Sequence, residues 1–263
     1  ASLEANKGAY SYAWMIIFAV IAAIMVLIGL YHIRMLPSNQ IPSTTKKTTS
    51  EVGRELVAVI ANFFTKKHIF YYICFIILYR LAEGFIVKIA PLFLRASREV
   101  GGLGLSLKEI GTLNGVFGSA AFVLGSLLAG IYVSKFGLKR TLFTLCCIFN
   151  LPFVAYTFLA VTQPTNVYLI GTCITMEYFG YGFGFVGLTL FMMQQIAPGK
   201  HQMSHYAFAS GIMNLGVMLP GMVSGYFSDL LGYRNFFIYV LIATIPAFLI
   251  TYFIPFTYDD SKK

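Results

Sequence analysis

Four charged residues stand well inside apolar runs of this sequence, away from the run ends: Arg80, Glu83 and Lys88 in one, Glu177 in another. Arg80 is twelve residues past His68, which at 1.5 Å per residue is roughly 18 Å into a helix, near the middle of a ~30 Å hydrocarbon core. Glu177 reaches a similar depth, roughly 16 Å from the start of its run, which enters from the other side of the membrane. A charge at the centre of a spanning helix costs about 2.5–3.5 kcal/mol, so Arg80, Glu83 and Glu177 left unpaired would cost on the order of 9 kcal/mol together. The charges must therefore pair or face water. Arg80 and Glu83 are spaced i, i+3 and can pair along one helix face. Glu177 then has no basic partner in its own run. Two readings stay open: an ion pair that only fixes packing, or a polar cavity for a substrate or protons. Lys88, nearer a membrane interface, can snorkel.

The elements that must position these residues follow from composition. Of 263 residues 58% are hydrophobic and only 11% charged, against about 25% charged in soluble domains. This excludes a soluble enzyme core, a disordered chain and a nucleic-acid-binding domain. At about 20 residues per span the apolar share supplies about seven transmembrane helices. Apolar runs predict them at 10–32, 68–94, 108–133, 141–161, 167–196, 205–227 and 235–256. The net charge of +9 reads as the positive-inside bias rather than a polyanion site. With 33–67 on the cytoplasmic side, twelve Lys and Arg fall there and five opposite, so the C-terminus is expected in the cytoplasm.

Four parts are expected. Residues 1–36 hold a single span and 37–67 a cytoplasmic linker. Residues 68–257 form a six-span bundle, and 258–263 a cytoplasmic tail. In the linker, Pro37 to Ser50 reads as flexible. Thr48 to Glu51 resembles a capping box. Val52, Leu56, Val59, Ile60, Phe63 and Phe64 share one face of an amphipathic helix, expected on the membrane surface. The fold class is all-α, a polytopic helical membrane protein. No basic n-region precedes a short apolar core, so no signal peptide is expected.

Other residues admit two readings each. Asn114 and Asn214 can hydrogen-bond a ligand or join two helices. Gly111 and Gly115, and Gly221 and Gly225, each form a G-x-x-x-G pair that predicts tight helix packing. Glu177 to Gly184 is glycine-dense, which permits close backbone approach. Pro220 predicts a kink. Cys74, Cys146, Cys147 and Cys173 read as small buried hydrophobes. His201 and His205 have metal spacing but no Glu or Cys beside them, so no metal site is expected. The histidines lie near helix ends with no paired nucleophile, so an enzyme is not expected. The last span carries no Lys for a Schiff base.

One loop carries a motif. Gly130, Lys135, Gly137, Lys139 and Arg140 fit the G-x-x-x-D-[RK]-x-G-[RK]-[RK] signature of the major facilitator superfamily, with Ser134 in the acidic position. The resemblance implies a cytoplasmic gate motif whose charges pair with neighbouring helix ends, and Ser134 leaves its acid-dependent part unsupported. A looser echo runs from Gly225 to Arg234. One span, a connector and six spans resemble the end of one bundle and the whole second bundle of a twelve-span facilitator.

Within that superfamily the chain resembles AmpG-type muropeptide permeases. The likeness lies in Tyr79 to Gly84, in Met176 to Gly182 and in His205 to Ser210. It implies a major-facilitator-type bundle in the bacterial inner membrane, importing anhydro-muropeptides for cell-wall recycling. Uptake would be proton symport, with no cofactor beyond the proton gradient. Two bundles rock about a midplane site. The partners implied are the small-molecule substrate, the lipid bilayer and the N-terminal bundle of the same transporter. Arg80 would hold an anionic group and Glu83 or Glu177 the proton, with Glu177 favoured. Tyr79 and Tyr181 would stack on sugar or hydrogen-bond it. A facilitator for a peptide, a siderophore or an acyl-CoA is the alternative.

Overall fold

A computed structural model describes residues 2–35 and 48–258, with the side chains of 2–10 and 49 excepted. The expected flexible stretch at 37–47 and the tail at 259–263 lie outside the described residues. The chain divides into two units, residues 1–52 and 53–263. Among the described residues all regular structure is helical.

The first unit is one long helix, α1 (Ser2–Met35), followed by the start of α2 (Thr49–Phe64). Thr48 begins α2 as its sequence suggests, its N–H donating to Glu51 Oε2 at 2.9 Å.

The second unit is six helical rods. The first is broken, α3 (Ile69–Tyr79) and α4 (Leu81–Arg95), with Arg80 at φ −104°, ψ 6° between them. The second rod joins α5 (Leu107–Thr112) to α6 (Ser119–Phe136) through a π-turn, Leu113–Gly118. Ser106 and Glu109 form a capping box at its start, the Ser106 N–H donating to Glu109 Oε2 at 2.8 Å. The third rod is α7 (Leu138–Asn150) and α8 (Phe153–Thr162), separated at Pro152. The fourth is α9 (Val167–Phe191), capped by the Asn166 side chain and ending in a π-turn, Met192–Ile196. Helix α10 (Gln202–Ala243) runs unbroken through Pro220 and turns instead at Gly232, where φ 70°, ψ 160° lies outside the range of L side chains. It thus supplies the fifth rod and, with α11 (Ile245–Phe253), the sixth.

Among the described residues four stretches are long and apolar enough to cross a bilayer: 11–35, 107–136, 138–162 and 202–253, the last folded back at Gly232. The rod at 69–95 falls short because Arg80 divides it into helices of 11 and 15 residues. In α9 Glu177 and the glycines dilute the apolar run. This is an all-helical, multi-pass membrane protein.

Helix α9 lies between α6 and α7, and α4 runs along α10. Glycine makes the first contact possible. A Cβ on Gly182 would stand 2.1 Å from the Phe122 carbonyl oxygen, and one on Gly180 2.4 Å from that of Ile148. Ser126 Oγ, donating to the Gly182 carbonyl at 3.2 Å, fastens α6 to α9. The G-x-x-x-G expectation fails elsewhere. Gly111, Gly115 and Gly225 face open space, and Gly221 makes only ordinary contacts. Spacing places two glycines on one face but does not bring a second helix to it. The cysteines are all free, and Cys74 is exposed rather than buried.

Two apolar cores result. Helix α3 enters one, with Phe63, Phe75, Phe149 and Phe191; α4 enters the other, with Phe85, Phe93, Tyr156 and Phe237. The amphipathic helix joins the first core only at its end, where Phe63 is buried. Val52, Leu56, Val57 and Phe64 stay exposed.

Candidate functional site

The break in the first rod falls between the two cores and carries the charged cluster. Arg80 Nε donates to Glu83 Oε2 at 2.6 Å and Nη2 to Glu83 Oε1 at 2.5 Å. This is a bidentate pair, the strongest neutral-overall arrangement two such groups can make. Both residues are buried, at 5% and 6% exposure. Ending α3 at Tyr79 and restarting at Leu81 puts Glu83 in the first turn of α4, where a carboxylate is favoured by the helix dipole. Arg80 Nη2 also lies 3.5 Å from the Tyr181 hydroxyl, and its guanidinium sits over the Phe185 ring, 5.4 Å from the centroid. The pair is thereby held by two helices, α4 and α9, of two rods.

Beside it is a cavity of about 90 Å³, lined among others by Glu83, Asn114, Tyr156, Glu177, Tyr178 and Tyr181. Glu177 makes no hydrogen bond or ion pair among the described residues. The Asn114 Oδ1 atom is buried with no partner among them. Asn114 sits in the π-turn of the second rod, and such turns widen a helix locally and recur at functional sites. An unpaired acid and an unpaired amide oxygen facing one cavity can exchange a proton or receive a polar ligand's donors. A buried polar group without a partner otherwise costs about 1–3 kcal/mol.

The structure thus brings together Glu83, Glu177, Asn114 and Tyr181 at the cavity, with Arg80 one contact behind. Two expected residues are elsewhere. The Tyr79 hydroxyl donates to the Gly184 carbonyl at 2.9 Å within the first core, which fixes α3 on α9. Asn214 is exposed on α10, where it neither lines the cavity nor joins helices. Arg80 does not line the cavity, because Glu83 occupies its fork. Tyr156 and Tyr178 line it without having been singled out. A tyrosine hydroxyl in mid-span needs a partner, and that signal was available for both. A larger groove, about 800 Å³, lies between α5 and α9, and none of the predicted site residues lines it.

The motif loop forms the turn from α6 to α7. Gly137 has φ 78° there. Ser134 Oγ donates to the Ile131 carbonyl at 2.9 Å, so the residue in the acidic position satisfies its own helix. Gly130, Ser134, Lys135, Gly137 and Arg140 line a second pocket with residues of α9, while Lys139 does not line it. His205 packs on Phe63, and its Nε2 lies 3.3 Å from the Val59 carbonyl oxygen. It holds α2 rather than pairing with His201 on a ligand.

A multi-pass helical membrane protein with a charged pair and an unpaired acid at mid-span is the class these features define. Comparison with known proteins places it more closely. The chain is 22% identical over 209 residues to the anhydromuropeptide permease of Escherichia coli (strain K12), covering 80% of this chain and 41% of that one. It is 25% identical over 238 residues to a protein named as transporter AmpG 1 of Rickettsia bellii (strain RML369-C), covering 89% and 56%. It is 27% identical over 204 residues to one named as transporter AmpG 2 of Rickettsia prowazekii (strain Madrid E), covering 76% and 47%. The chain spans about half the length of these relatives. No protein-family model matches it. The likeness to AmpG-type permeases that its second, fifth and sixth spans carry thus extends over most of the chain.

Proposed function

We propose that this chain is the second half of a proton-coupled secondary transporter that imports anhydro-muropeptides across the bacterial inner membrane. The similarity to proteins named as permeases supports transport rather than catalysis, and the name of the Escherichia coli relative supports the substrate class. The observation that carries the proton-coupled reading is Glu177, an acid facing a cavity with no partner among the described residues, beside an Arg–Glu pair that already satisfies itself.

Glu177 takes up the coupled proton. Its carboxyl has no basic partner among the described residues. The Arg80–Glu83 pair is the second element. A substrate carboxylate competes with Glu83 for the guanidinium fork, and a proton on Glu83 releases that fork. Tyr156, Tyr178 and Tyr181 present rings and hydroxyls to a sugar. The cavity in this conformation is far smaller than a disaccharide peptide. It is one wall of a site that the other bundle of the transporter completes, and alternate rocking of the two bundles opens it to either side. The 37–67 linker joins the bundles on the cytoplasmic side, where the C-terminus also lies.

Uptake of labelled anhydro-muropeptide into cells making the full-length protein, with and without a protonophore, tests the reading. Gradient-dependent uptake that Glu177→Gln abolishes is expected. Uptake untouched by both would overturn the role of the proton and of Glu177. No uptake from protein shown to be in the membrane would move the substrate to another solute.

A further inference from the structure

Two cations at the α6–α7 turn, Lys135 and Arg140, have no acid paired with them among the described residues. No Asp or Glu stands between Glu109 and Glu177 in the sequence. Neither Lys135 nor Arg140 makes an ion pair among the described residues. Lys135 lies over the Phe136 ring, its Nζ 5.5 Å from the centroid. Both side chains are exposed and both line a pocket of about 590 Å³ between this turn and α9. The Ser134 hydroxyl is turned back on its own helix, so the motif supplies no carboxylate. Helix α7 starts at Gly137 with no side-chain cap. Val133 and Phe136 beside Lys135, and Val186 and Leu190 on α9, give the pocket apolar lining, with Gln194 the polar residue on the facing side. The exposed face of α6 beside it, Leu127, Leu128 and Ile131, continues that surface along the span.

We infer that this pocket binds the headgroup of an anionic phospholipid. Its phosphodiester sits between Lys135 and Arg140, and its acyl chains run along α6. Basic pockets between spanning helices take such headgroups, and an apolar wall continuous with the bilayer face selects a lipid over a soluble anion. The inference does not depend on which solute the protein carries.

The test uses the protein at its native full length, purified in zwitterionic detergent and titrated with phosphatidylglycerol or phosphatidylcholine, with retained lipid read by native mass spectrometry. Preferential retention of phosphatidylglycerol is expected. Lys135→Ser with Arg140→Ser should weaken it about 30-fold, the weight of two basic side chains at an anionic surface. Ser134→Asp, which restores a carboxylate beside the cations without removing them, should weaken it about fivefold. This second variant decides the matter if the first does not fold. Equal retention of both lipids, or retention unchanged in Ser134→Asp, would overturn the inference. Displacement of phosphatidylglycerol by millimolar inorganic phosphate would overturn the lipid assignment in favour of a free anion.

Discussion

The core that α3 enters is tied at its end by polar side chains, whereas the interior of the core that α4 enters is held mainly by rings. In the first, buried Gln195 accepts from the Thr257 and Tyr258 N–H groups at 2.8 and 3.1 Å and donates to the Tyr258 carbonyl at 2.6 Å. Lys66 donates to the carbonyls of Ile196 and Pro198 at 2.5 and 2.7 Å. The end of α9 is thus clamped by the chain that enters the bundle and by the chain that leaves it. In the second, Tyr156 stacks on Phe237 and Phe227 on Tyr239, with centroids 5.4 and 5.3 Å apart. Ring contacts slide at small cost, while hydrogen bonds to backbone break or hold. The end of α9 is thus kept in register by such bonds, and at its other end Arg98 donates to the Gln163 and Pro164 carbonyls, each at 2.8 Å, so the ring contacts lie between two hydrogen-bonded ends. The Arg80–Glu83 pair sits at the junction.

Breaking that junction should have the largest effect. Arg80→Met leaves Glu83 buried beside no cation, and should cost about 3–5 kcal/mol in unfolding measured in detergent. Arg80→Met with Glu83→Gln should recover most of it, because the uncompensated charge rather than the missing contact is the penalty. If the double variant were as unstable as the single, packing by the guanidinium would be what matters.

The contact between α6 and α9 comes next. Gly182→Ala drives a methyl into the Phe122 carbonyl and should cost about 1–3 kcal/mol by overpacking. Gly111→Ala meets open space and should cost nothing, gaining up to about 1 kcal/mol from helix propensity. Thermal unfolding of the pair separates a packing glycine from one that merely has the right spacing. At the clamped end, Gln195→Leu strands the Tyr258 carbonyl and two N–H groups and should cost about 1–3 kcal/mol. Faster hydrogen exchange at 255–258, with no change near Glu177, would confirm that the clamp acts locally.

How far the sequence was readable follows from the range of each signal. Apolar runs are long signals, so the spans at 108–133 and 141–161 lie within observed rods. Arg80 and Glu83 at i, i+3 predicted their own pairing, and that in turn predicted an unpaired Glu177. The turn at Gly232 falls in the gap expected between the spans at 205–227 and 235–256, but the break at Arg80 and the π-turn at Asn114 were not legible. Each changes one or two residues' backbone inside a run whose average hydropathy does not move. Pro220 predicted a kink within its span, yet α10 runs through it unbroken. Pro220 is instead accommodated against Gly84, where a Cβ would stand 2.3 Å from Pro220 Cγ. Gly115 meets open space for one reason: periodicity states which residues share a face, and only tertiary packing states what that face meets.

No loss of stability should follow from changing the residue with the largest proposed role. Glu177 has no partner among the described residues, so Glu177→Gln strands nothing and keeps the side chain's shape. Removing a charge from mid-span should leave stability unchanged or raise it by up to about 3 kcal/mol if that charge was present. Glu83→Gln, by contrast, leaves the Arg80 fork half-satisfied and should destabilise by about 3–5 kcal/mol. The two acids line one cavity, so a difference of this sign between their variants must come from partners rather than depth. Unfolding curves for both variants in one detergent, set beside their protonophore-sensitive uptake, make the comparison. Stability retained with proton coupling lost at Glu177, and both lost at Glu83, would separate the proton carrier from the pair that positions it. Equal destabilisation of the two would mean that Glu177 has a partner after all, and that its role is to hold helices together.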